Sequence, residues 1–194
     1  MISEIEEYAR NNNIPIMLKD GITYLCDYIK NNNIKSILEI GSAIGYSSIM
    51  MALMDNDIKI TTIEKDTNRY NMAIDNINKF NLGSRITILN EDALESNING
   101  TFDLIFIDAS KGNNINFFNK YKSNLNKSGV IVTDNLSFHG LVEDENKIKT
   151  KNQRGIVKKI KLYLDFLSNN KEFNTIYVPV GDKISISKIC LFSR

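Results

Sequence analysis

At 194 residues, with 42% hydrophobic and 24% charged content, the chain has the size and composition of one soluble globular unit with a sizeable core. A net charge of +1 excludes a global electrostatic pull onto nucleic acid or membrane, so any basic surface is local. The acidic start (Glu4, Glu6, Glu7) is unlike a signal peptide, and no apolar stretch is long enough to span a bilayer. The two cysteines, Cys26 and Cys190, lie far apart in apolar settings, as buried free thiols do. A reducing cytoplasm is the expected setting.

Residues 3–12 read as a short helix that Pro15 prevents from continuing. Residues 18–30 carry Leu18, Ile22, Leu25 and Ile29 at helical spacing. Ser36–Ile40 is an apolar strand, followed by a turn bearing Gly41 and Gly45 and a helix from Tyr46 to about Met54. A second strand, Lys59–Ile63, ends at Glu64, and a helix over Thr67–Phe80 presents Tyr70, Ala73, Ile74 and Ile77. Strand three, Ile86–Leu89, runs into Asn90, Glu91, Asp92 and Ala93. Strand four, Phe102–Ile107, ends at Asp108 and precedes a helix over Asn114–Leu125. Strand five, Val130–Thr133, ends at Asp134 and Asn135. A helix over Asn152–Ser168 and two strands around Pro179–Asp182 close the chain.

Strands alternating with helices indicate an α/β fold, a mostly parallel sheet with helices on both faces and a pocket at the carboxyl ends of its strands. Glu39, Glu64, Asp92, Asp108, Asp134 and Asn135 all fall at such ends. With no repeat or linker, residues 1–194 read as one domain, a helical segment over 1–33 preceding a core over 34–194. Asp108, Asp134 and Asn135 would share one sheet edge, and three hard oxygen donors suit Mg²⁺ or Ca²⁺ better than Zn²⁺.

The turn after strand one has Ala43 between its glycines and is not GxGxxG, which disfavours a pyrophosphate cradle. Glu64 suits paired hydrogen bonds to ribose hydroxyls, or is a solvated strand end. Asp92 and Ala93 suit the side of an adenine, although an acid there also serves as a helix N-cap. Lys111 alone is an ordinary surface lysine. His139, the only histidine, lies beyond the acidic pair in a loop, where work at the pocket edge fits better than catalysis.

Taken together, the stretches 39–47, Glu64, 91–93, 102–111 and 133–135 resemble the metal-dependent class I O-methyltransferases, the family of catechol and caffeoyl-CoA methyltransferases. The stretches 14–17, 133–142 and 179–182 look closer still to its bacterial tRNA 5-hydroxyuridine branch. The resemblance spans about Ile14 to Lys188 and implies a seven-stranded Rossmann-like sheet with an antiparallel last strand, S-adenosylmethionine as donor, Mg²⁺ or another divalent cation, and a homodimer. By that resemblance Met17, Gly41, Ser47, Glu64, Asp92, Ala93 and Asp108 line the donor site, while Asp108, Asp134 and Asn135 hold the cation. Lys111 becomes the base or anion stabiliser, beside Asp108. Lys183 departs from the second glycine of many relatives.

Methyl transfer to oxygen through a chelating cation needs an acceptor with two adjacent oxygens. A catechol has them, and so does 5-hydroxyuridine. A cationic stripe of Lys151, Arg154, Lys158 and Lys161 would suit a tRNA backbone, and equally a solvated helix face. The expectation is therefore methylation of 5-hydroxyuridine in tRNA. A small vicinal diol is the alternative acceptor, and a non-catalytic nucleotide-binding module is a third reading.

Overall fold

A computed structural model describes residues 1–190. Its elements follow the chain as α1 (Ile2–Asn11), α2 (Lys19–Asn31), β1 (Ser36–Ile40), α3 (Tyr46–Ala52), β2 (Lys59–Ile63), α4 (Thr67–Lys79), β3 (Ile86–Leu89), β4 (Phe102–Ile107), α5 (Asn114–Tyr121), β5 (Leu125–Thr133), α6 (Lys151–Ser168), β6 (Phe173–Val178) and β7 (Ile184–Ile189). The seven strands form one sheet in the order β3-β2-β1-β4-β5-β7-β6. β7 runs antiparallel to both of its neighbours, and the pairings among β1 to β5 are parallel. This is the Rossmann-like architecture expected from the sequence.

The central strands are apolar on both faces because helices cover both. Ile37, Leu104, Phe106 and Ile49 belong to the core under α1, α2 and α3, whereas Leu38, Ile105, Phe118 and Ile160 belong to the core under α5 and α6. Local signals set the helix starts. Asp66 accepts from the amides of Asn68 and Arg69 at the start of α4, and Thr150 with Gln153 closes a capping box at the start of α6.

Three boundaries depart from the sequence reading. Leu18 caps α2 with extended backbone and stands exposed, so the buried face of that helix is Ile22, Leu25, Cys26 and Ile29. The helix after β4 stops at Tyr121, and Leu125 already pairs with Phe102 in β5. The extra length of β5 comes from tertiary pairing, with a register shift between Phe102 and Leu104. A Cβ on Gly129 would stand 2.8 Å from Leu125 Cδ1 and 3.0 Å from Asp103 O, so glycine lets the strands pass closely at that irregularity. On α6 the buried residues are Val157, Ile160, Tyr163 and Leu167, with Ile156 and Leu164 at the margin.

Register then builds the site. Ile40, Ile63, Ile107 and Thr133 end their strands side by side. The next residues continue the ladder: Gly41 N donates to Ile63 O, Asp108 N to Ile40 O, and Asp134 N to Ile107 O. Gly41 has φ +95°, and a Cβ there would lie 2.6 Å from Asp108 O. Gly41→Ala is therefore expected to cost at least about 2 kcal/mol, from left-handed strain and overlap together. Denaturant unfolding of the variant measures it; a midpoint equal to wild type would contradict the contact.

Candidate active site

A cavity of about 840 Å³ opens above these strand ends. Met17, Gly41, Ser47, Glu64, Asp92, Ala93, Asp108, Lys111, Asp134 and Asn135 all line it, so the fold brings every donor-site and cation-site residue named from the sequence to one place. Lys151, Arg154, Lys158 and Lys161 do not line it; they stand exposed on α6, with Lys161 held by Glu145. The amino-terminal segment contributes Ala9, Arg10 and Asn13 to the wall.

Strand order divides the cavity in two. On the β2 and β3 side, Glu64 is buried and accepts from Ala43 N at 2.9 Å and Asp66 N at 2.8 Å. Two backbone amides thus orient this carboxylate before any ligand arrives, and each oxygen keeps a lone pair to offer. Asp92 accepts from Leu94 N at 2.9 Å and pairs with Lys65 at 3.1 Å. These contacts, the amide first, hold its carboxyl below the ordinary range.

Glu39 has a different role from the other strand-end acids. It is fully buried, does not line the cavity, and takes hydrogen bonds from Ser47, Ser48 and, at 2.6 Å, Thr62. The Ser47 hydroxyl is thereby turned inward, tying the start of α3 to β1. Burial pushes the Glu39 carboxyl up to about 7, and the three hydroxyls only partly oppose it.

On the β4, β5 and β7 side, Lys111 Nζ lies 2.7 Å from Asp108 Oδ1, both side chains largely shielded from solvent. Asp134 is buried, and burial first, then the nearby Asp108 charge, hold its carboxyl well above the ordinary range. Asp134 Oδ1 and Asn135 Oδ1 are buried without a hydrogen-bond partner among the described residues. Buried polar oxygens are seldom left so unless a water, an ion or another ligand completes them. Hard, unpartnered oxygens beside a second carboxylate fit a divalent cation. Among the described residues no three His, Cys, Asp or Glu side chains gather into a metal-binding group; the set here is two carboxylates and an amide.

Sequence reasoning left Asp182 and Arg69 unassigned, and both line the cavity. Asp182 was visible only as part of the closing motif at 179–182. Burial raises its carboxyl above the ordinary range. Lys183, the departure noted from the sequence, has φ +68°. That is the left-handed backbone a glycine adopts freely, which explains why glycine is at home there.

The family model described as O-methyltransferase matches residues 1–189. The chain belongs to the O-methyltransferase family. A Staphylococcus aureus crystal structure, named provisionally as a caffeoyl-CoA O-methyltransferase, superposes with a TM-score of 0.93 at 34% identity, covering 97% of this chain and 92% of that one. The caffeoyl-CoA O-methyltransferase of Stellaria longipes is 28% identical over 79% of this chain and 68% of its own length. A Podospora anserina methyltransferase solved with S-adenosylhomocysteine shares the fold, with a TM-score of 0.89 at 20% identity over 97% and 87% of the two chains. No helix among the described residues is long and apolar enough to cross a membrane.

The raised Glu39 carboxyl has a measurable consequence for this methyltransferase. The folded chain keeps a proton that the unfolded chain releases, so this contribution is fully present below about 4.5 and is lost as pH rises through about 7. Comparing unfolding free energies of wild type and Glu39→Gln across that range should show a gap changing by on the order of 3 kcal/mol. Parallel pH profiles would refute it.

Proposed function

We propose that this enzyme transfers the methyl group of S-adenosylmethionine to one of two adjacent oxygens on a small acceptor of the catechol or caffeoyl-CoA type. One observation carries the reading: in a single cavity the Lys111–Asp108 pair stands with buried, unpartnered oxygens of Asp134 and Asn135. The names of the relatives favour a small acceptor, and the neighbour bound to S-adenosylhomocysteine favours the donor.

The donor occupies the β2 and β3 side. Glu64 accepts hydrogen bonds from its ribose hydroxyls, Asp92 and Ala93 border its adenine, and Gly41 keeps the wall thin where the donor passes toward Asp108. The acceptor occupies the β4 and β5 side. In the reaction the sulfur–methyl bond breaks as the new oxygen–methyl bond forms, and the acceptor hydroxyl gives up its proton. Asp108, Asp134 and Asn135 would hold a divalent cation, which when bound supplies Lewis acidity that lowers the acceptor hydroxyl's pKa. Lys111, steered by Asp108 Oδ1, stabilises the acceptor oxyanion as an ammonium or takes its proton as an amine. Alignment of acceptor oxygen with donor methyl supplies a further share of the rate, as large as about 7–11 kcal/mol in well-ordered systems.

A second reading, methylation of 5-hydroxyuridine in tRNA, rests on α6. Lys151, Arg154 and Lys158 are exposed along it, and the Lys159 stem lies across Gly112, next to Lys111. A cationic ridge thus approaches the cavity rim, where a phosphate backbone would find it. A homodimer belongs to the same proposal, and light scattering checks its mass.

The test is methyl transfer from labelled S-adenosylmethionine, with Mg²⁺, to a caffeoyl-type diol, its monohydroxy analogue and hypomodified tRNA. The diol should be methylated, the monohydroxy analogue should not, and chelation should stop turnover. Equal turnover of the two phenols would overturn the adjacent-oxygen requirement. Lys111→Ala should lose about 10²–10⁴-fold in kcat/KM with donor affinity retained. Production of 5-methoxyuridine, lost in Arg154→Glu and Lys158→Glu while diol turnover persists, would select the tRNA reading.

A further inference from the structure

The loop after β5 holds an unusual backbone. Asn135, Phe138 and His139 have φ values of +66°, +51° and +58°, and Gly140 follows at +80°. Glycine and asparagine accept this region readily and histidine is tolerated there, but phenylalanine is not, at a cost of about 1–2 kcal/mol. Such a run persists only where its surroundings over-determine it.

The surroundings here are the turn between β6 and β7. Leu136 N donates to Lys183 O at 3.0 Å, and Ser137 N donates to Asp182 O at 2.9 Å. His139 N then donates to Asp182 Oδ1 at 2.7 Å, so one residue grips the loop with main chain and side chain together. Asp182 is 5% exposed, which makes that side-chain bond a shielded one. A second tie runs outside: Ser137 Oγ donates to Glu143 at 2.7 Å and Lys183 Nζ lies 3.2 Å from the same carboxylate. Its ionic partners are partly solvated, so it contributes less.

The turn itself cannot drift. Gly181 has φ +56°, and a Cβ there would stand 3.0 Å from the Gly21 Cα of α2. Two glycines thus bring hairpin and helix backbones into contact, and Lys183 N closes the turn on Val180 O at 2.9 Å. The His139 imidazole, by contrast, is 70% exposed with Nδ1 3.7 Å from Asp182 Oδ2, too far for a hydrogen bond. The carboxylate therefore grips the backbone of His139 more than its ring.

We propose that Asp182 is a positioning residue for the acceptor, latching loop 135–143 in the left-handed conformation that sets Asn135 and His139 on the β5 side of the cavity. Strand order separates this latch from the donor side: Glu64 and Asp92 follow β2 and β3, whereas Asp182 precedes β7 beyond β5. Loosening the loop should thus weaken acceptor binding and leave donor binding intact. The kinetic arm of the test rests on the acceptor class proposed above; the exchange arm does not.

The experiment compares the full chain with Asp182→Ala and Asp182→Asn in three measurements: acceptor KM and kcat with the caffeoyl-type diol, donor affinity by calorimetry, and amide hydrogen exchange by mass spectrometry. For Asp182→Ala the acceptor KM should rise at least about tenfold, with kcat within about threefold and donor affinity within about twofold of wild type. Exchange across 135–143 should accelerate by about tenfold or more, with β1 and β4 unchanged. Asp182→Asn keeps an oxygen for the His139 amide and should return both acceptor KM and exchange across 135–143 to near wild type. Asp182→Ser, too short to reach that amide, takes the place of the alanine variant if the latter does not fold. Unchanged exchange across 135–143, or equal losses for donor and acceptor, would overturn the latch. A wild-type chain inert toward the diol would sink the acceptor reading, and exchange alone would then decide the latch.

Discussion

Parallel pairing that stops in register is the constraint on which this molecule depends. Ile40, Ile63, Ile107 and Thr133 end together, and the ladder hydrogen bonds run one residue further, through Gly41, Asp108 and Asp134. The polar residues that follow have no choice but to gather at one edge. Gly41 makes the gathering tight, because its missing side chain lets the first turn rest against the backbone of Asp108. A slip of one residue in any of these strands would move its polar terminus out of the cavity and turn its apolar side chains to the wrong core.

The same edge concentrates acids where water is scarce, and each is handled differently. Glu39 is filled with hydroxyl donors and closed off, so it works as a structural tie between β1, β2 and α3. Glu64 is held by backbone amides yet keeps its face to the cavity. Asp108 has a lysine. Asp134 and Asn135 each keep an oxygen that nothing among the described residues satisfies. Glu39 and Glu64 are satisfied, whereas these two oxygens, with Asp182 Oδ2 on the same cavity, are left open. They mark where a ligand belongs, since a partnerless buried oxygen costs about 1–3 kcal/mol. The proposed chemistry grows from that contrast.

Much of this was legible in the residues themselves. Short apolar runs ending in Glu64, Asp108 and Asp134 state both the strands and the edge where they finish, because their shortness and β-branched content distinguish buried strands from helices. Three kinds of feature were not legible. The hydroxyl cage that removes Glu39 from the cavity joins residues from three elements, and nothing local announces it. The early start of β5 follows from pairing with β4, which overrides the helical pattern of Leu125. The hold of Asp182 on His139 spans 43 positions of sequence.

The chain by itself thus determined the order of elements, their apolar faces and the chemical identity of the groups at the strand ends. These depend on local periodicity and on side-chain chemistry, both of which are written residue by residue. Only the tertiary structure decided which acids face the cavity, which oxygens go without a partner, and how a loop with left-handed Phe138 and His139 is held in place. Those outcomes depend on distances between residues remote in sequence, and close packing sets such distances to tenths of an ångström.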